Sequence, residues 1–162
     1  MDSAIQLAGF FAAHGIWCVS DGGPLIPMLA FEKADGKREM QRFAAPELER
    51  GVEVGRDWLA RNPEGAMQAV LVYDGLVTLE AGKVDALLLD VRVYALPPHS
   101  LLMAVPYRPA TEGRQFSVYR PKFISCDLSV PDYQALGSAF FRGVDSHAKG
   151  AAVWSRCLDQ SL

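Results

Sequence analysis

The chain has 162 residues, half of them hydrophobic and 22% charged, with a formal net charge of −3. This composition excludes a disordered chain, and the length suits one globular domain, residues 1–162, that buries a core without disulfides or metals. A mildly acidic whole is repelled at long range by nucleic acid and by anionic membranes, so neither is expected as a partner.

The opening "MDSAIQLAGFFAAHGIWC" is apolar but lacks a basic flank and a small-residue cleavage pattern. It reads as a buried helix rather than a signal peptide. No run reaches the 18 apolar residues or so that a transmembrane helix needs. The three cysteines, Cys18, Cys126 and Cys157, are far apart and in no CxxC spacing. Reduced thiols are expected, and the cytoplasm with them.

The first helix is expected over residues 3–14, capped by Asp2 or Ser3 and stopped at Gly15. A short strand "IWCVS" and a turn "DGGP" should follow. "LIPMLAFE" and "KREMQRFA" flank "KADGK", where Asp35-Gly36 favours a tight hairpin. Pro27 cannot donate to a ladder, which puts this arm at an edge or a bulge.

Residues 46–61 predict a second helix, with Pro46 in the first turn and Glu47 and Glu49 near its positive end. Four apolar segments come next: "AVLVYDGLVTL", "VDALLLDVRVYAL", "SLLMAVPYRP" and "QFSVYRPKFIS". The breaks between them are too short for parallel crossovers, so they form an antiparallel meander. "SVPDYQALGSAFF" reads as a last helix, with Ser129 and Asp132 resembling a capping box, and "AAVWSRCL" adds a turn or two. The order is α-ββ-α-ββββ-α. The fold class is α+β, an antiparallel sheet of about four to six strands packed by two or three helices.

Side chains alternate across a strand. In "VDALLLDVRVYAL", Leu87, Leu89, Val91, Val93 and Ala95 make a core face. Ala86, Leu88, Asp90, Arg92 and Tyr94 make a face that starts apolar and ends polar, as expected of a half-covered surface. If the strands pair about residues 81–82, Asp74 comes near residues 88–90. Asp74 and Asp90 would then form a carboxylate pair beside Arg92, able to raise one pKa for acid–base work. The competing reading is a solvated or ion-paired face.

Residues 107–122 carry Arg108, Arg114, Arg120 and Lys122 against one acid, Glu112, with Tyr107, Phe116 and Tyr119 between them. On an acidic chain this is a basic hairpin suited to an acidic partner. It is too small a footprint for nucleic acid. His14, His99 and His147 have no ligand spacing, and "SDGG" lacks the GK[ST] of a phosphate loop. No metal, cofactor or catalytic residue is expected.

The function expected is therefore a small cytosolic protein-interaction module without catalytic activity. It would bind a partner, or a second copy, through the mixed sheet face and the basic hairpin. The alternative is an enzyme or small-ligand binder using Asp74, Asp90 and Arg92. The candidate binding residues are Asp74, Asp90, Arg92, Tyr94, Arg108, Arg114, Arg120 and Lys122.

Overall fold

The computed structural model describes residues 1–80 and 82–161. Along the chain run α1 (Asp2–Val19), β1 (Met28–Glu32), β2 (Arg38–Arg42), α2 (Leu48–Arg61), β3 (Gln68–Leu79) and β4 (Gly82–Val93). Then come β5 (His99–Arg108), β6 (Ser117–Val118), β7 (Lys122–Cys126), α3 (Tyr133–Asp145) and α4 (Ala148–Cys157). The fold is α+β, with the seven strands in one antiparallel sheet of order β2-β1-β3-β4-β5-β6, β7 also pairing with β5. The first hairpin joins this sheet, with Met28 opposite Val72 and Glu32 opposite Gln68. Among the described residues no helix is long and apolar enough to cross a membrane.

The first helix runs past its expected stop. Gly15 is not its end, and "IWCVS" is not a strand: the helix continues to Val19. A Cβ on Gly15 would sit 2.7 Å from Leu87 Cδ1, so this glycine lets the helix lie close on the sheet. Burial of Ile16 and Val19 overrides their preference for strands. The chain turns only at Gly22, whose φ of +81° suits glycine.

Other boundaries also move. Pro27 lies just outside β1, where its missing N–H costs no ladder bond. The second helix begins at Leu48 rather than Pro46 and ends on Asn62 in the left-handed conformation. "QFSVYRPKFIS" breaks at Arg120-Pro121 into β6 and β7. Asp132 is itself the cap of α3, its carboxylate accepting the Ala135 N–H at 3.0 Å, so Ser129 does not begin a capping box. The final helix is two: His147 caps α4 through Nδ1, which accepts the Gly150 N–H.

Two hydrophobic clusters lie on opposite sides of the sheet. The larger joins α1, α3 and α4 to Val70, Val72, Leu87, Leu89 and Met103. The smaller joins Trp58 and Leu59 of α2 to Leu29, Phe31, Leu71 and Tyr73. The three helices of the larger side meet backbone to backbone: a Cβ on Gly9 would overlap the Phe140 carbonyl, and one on Gly143 would overlap that of Gln6.

Candidate functional site

The hairpin register decides the first candidate. Leu79 lies opposite Gly82, which places Leu87 opposite Asp74 and Leu71 opposite Asp90. Opposed residues here pair an odd position with an even one. Two even-numbered positions on neighbouring strands therefore face opposite sides of the sheet. Asp74 shares the side of α1, and Asp90 shares the side of α2. The expected carboxylate pair does not form, because the strands pair two positions closer to the turn than a centre at 81–82 would give, and parity separates the two acids in either register.

Asp74 accepts a hydrogen bond from the Tyr107 hydroxyl at 2.8 Å. It also lines a notch of about 360 Å³ with Glu49, Asp85, Leu25 and Leu76, beside the part of β3 that extends past β1. Burial pushes the Asp74 carboxyl above its ordinary value of 3.8 and Asp85 adds to the rise, while hydrogen bonds from Tyr107 and the Gly75 backbone pull the other way. An acid with a raised folded-state pKa holds its proton more tightly folded than unfolded. Its favourable contribution is complete below the unfolded value and is lost as pH climbs through the folded one. Asparagine keeps the acceptor for Tyr107 and never ionises. Asp74→Asn is therefore expected to match the parent in melting temperature near pH 3 and to gain on it toward pH 7. A difference that is flat or shrinks with pH would contradict this assignment.

On the opposite side, Arg92 meets Asp90 through Nη1 at 2.8 Å and through Nη2 at 3.3 Å. The Asp90 side chain is only 14% exposed. Burial raises its pKa, and the charges of Arg92 and then Arg56 oppose that rise. Arg56 itself bonds the Tyr73 hydroxyl at 2.9 Å and lies over the Tyr73 ring. Tyr94 does not bond the pair: its hydroxyl donates to the Leu59 carbonyl at 2.7 Å, and burial pushes it up to about 12. Asp90, Arg92, Arg56 and Tyr73 thus form one connected polar patch at the flank of α2.

The basic hairpin disperses. Arg108 donates to Ser117 Oγ at 2.8 Å, and its Nε is buried without a hydrogen-bond partner among the described residues. Arg120 reaches Gln160 of the C-terminal segment at 2.6 Å. Arg114 sits in an exposed turn closed by Thr111. Lys122 lies opposite Ala104, and so on the same side of the sheet as Asp90 and Arg92. Alternation along β5 puts Arg108 on this side too, tied to Ser117, whereas Arg114 and Arg120 lie outside the strands.

The helix α2 packs chiefly on β3. Beyond its flank, Leu88, Arg92, Leu102 and Lys122 remain half-buried, with Leu102 directly opposite Asp90. This strip is the half-covered face that alternation in β4 predicted.

Sequence reasoning missed two groupings. Arg56 joins the patch from α2. His14 and His147, 133 positions apart, meet at 3.1 Å. At the other end of the sheet Asp127 accepts bonds from the Ser100 N–H and Oγ, both at 2.8 Å, and lies 3.2 Å from His99 Nδ1, a clamp between β5 and β7. Among the described residues no group of three or more His, Cys, Asp or Glu is placed to hold a metal ion. No family model, curated protein or solved structure matches the chain.

Proposed function

We propose that the protein is a non-catalytic interaction module that binds a protein partner through the α2-side face of β4, β5 and β7. The carrying observation is the half-buried strip at Leu88, Arg92, Leu102 and Lys122. A sheet face with an apolar centre is ordinarily buried against something, and here α2 stops short of it. Arg56, Arg92 and Lys122 stand against Asp90 and against Asp127, which is bonded to Ser100 opposite Arg92, so cations still outnumber acids on a chain of net charge −3. The fitting partner presents an apolar patch rimmed by carboxylates. A second copy would set this rim against its own sign, which favours an unlike partner. The enzymatic alternative loses its paired carboxylates to the register of β3 and β4.

The test compares tagged variants in extract of the native host. Leu102→Gln is expected to lose the protein recovered with the parent chain. Leu76→Gln, at a leucine 59% exposed elsewhere on the molecule, is expected to keep it. Equal recovery with both variants would remove the strip from the interface.

A further inference from the structure

A second surface runs between α1 and β2, on the other side of the sheet. Arg38, Met40 and Arg42 of β2 lie opposite Glu32, Ala30 and Met28, so they face the side on which α1 packs. From α1, Leu7, Phe10, Phe11, His14 and Cys18 project at helical spacing toward the same seam. The seam holds two depressions. One of about 230 Å³ is walled by Leu7, Phe10, Phe11 and Met40, and one of about 100 Å³ by His14, Cys18, Ile26 and Arg42.

The hydrogen-bond chain at the second depression fixes where the protons are. The Gly150 N–H can only donate, and it meets His147 Nδ1 at 2.9 Å. His147 Nδ1 is therefore an acceptor, and the ring carries its proton on Nε2. His147 Nε2 lies 3.1 Å from His14 Nδ1, so His14 Nδ1 must accept, and His14 carries its own proton on Nε2. Yet His14 Nε2 lies 3.4 Å from Arg42 Nη2, which is also a donor. Two N–H groups converge, and among the described residues neither has an acceptor there. The other charges of this wall are matched: Arg38 pairs with Glu32, and Glu39 pairs with Lys33 and Lys37. Among the described residues no carboxylate lies within ion-pairing distance of Arg42.

We infer that the α1–β2 groove binds a small amphipathic carboxylate, its headgroup accepting from Arg42 and from His14 Nε2–H and its apolar chain lying along Phe10, Phe11 and Met40. One guanidinium and one neutral ring N–H match a monoanion better than a phosphate dianion, whose second charge would have no partner. Arg38 to Arg42 spans about 13 Å of extended strand, the reach of a medium-length chain. This site is independent of the face assigned to a protein partner, which lies across the sheet.

The test uses octanoate, octanol and inorganic phosphate, with long-range ¹H–¹⁵N spectra of the histidine rings and calorimetry on the full chain. The free protein is expected to show His14 and His147 both as the Nε2–H tautomer. Octanoate is expected to shift the His14 Nε2 signal and to bind at least tenfold more tightly than octanol, and phosphate to leave the signal unmoved. Arg42→Gln, at an exposed position, should keep the melting temperature and lower octanoate affinity at least tenfold. Each of four results would overturn the inference: an Nδ1–H tautomer at His14, no binding of octanoate, equal binding of octanol or phosphate, or unchanged affinity in Arg42→Gln.

Discussion

Gly143→Val is expected to leave little folded protein at room temperature. The helices α1 and α3 cross where Gly143 meets the backbone of Gln6 and Phe10, and where Gly9 meets Phe140 and Val144. The obstacles to a side chain at Gly143 are backbone atoms inside helices, which cannot swing aside as a side-chain tip can. Replacing a helical glycine ordinarily recovers about 0.5–1 kcal/mol of chain entropy. Here that gain is set against separating two helices that together bury Ile5, Leu136, Phe140 and Val144. The net loss should exceed about 3 kcal/mol, the upper end of the usual cost of overpacking. Even Gly143→Ala should destabilise, read as a lower urea midpoint. An alanine variant as stable as the parent would mean that the helices do not approach this closely.

Phe31→Ala is expected to cost about 3–5 kcal/mol, the usual range for removing a buried aromatic ring. Phe31 is fully buried on the α2 side, its ring centroid 4.8 Å from that of Trp58. The loss should be uneven. The helix α2 is held by one small cluster in which Phe31 is central, whereas α1 rests on both the sheet and the other helices. Hydrogen exchange in Phe31→Ala should therefore rise first in residues 48–61, before α1 and β4. A uniform rise across the chain would contradict the division into two clusters. The variant also bears on function, because release of α2 would extend the uncovered face to Leu71 and Tyr73.

The meander, the second helix and the mixed face of β4 were legible because strand alternation and helical spacing are local. Leu87, Leu89 and Val91 were assigned to the core and are buried there. The extension of α1 was not legible. Gly15 carries the same local signal whether it ends a helix or lets a sheet come close, and only Leu87 distinguishes the two. The Asp74–Asp90 pair depended on a register that the turn sets, and the register observed puts the two acids on opposite sides of the sheet. Tyr94 looked like part of the charged face, but its hydroxyl is taken by the Leu59 carbonyl of α2, a contact between distant segments. The His14–His147 chain and the reach of Arg120 to Gln160 are likewise long-range, and composition carries no trace of them.

We propose that a protein partner covers the strip at Leu88, Arg92, Leu102 and Lys122. The most direct test is hydrogen exchange and cross-linking, read by mass spectrometry, on the complex purified from the native host. A stoichiometric protein is expected, with protection and cross-links concentrated at β4, β5 and Lys122. Recovery of a stoichiometric small molecule with no protein, or protection confined to other surfaces, would contradict it.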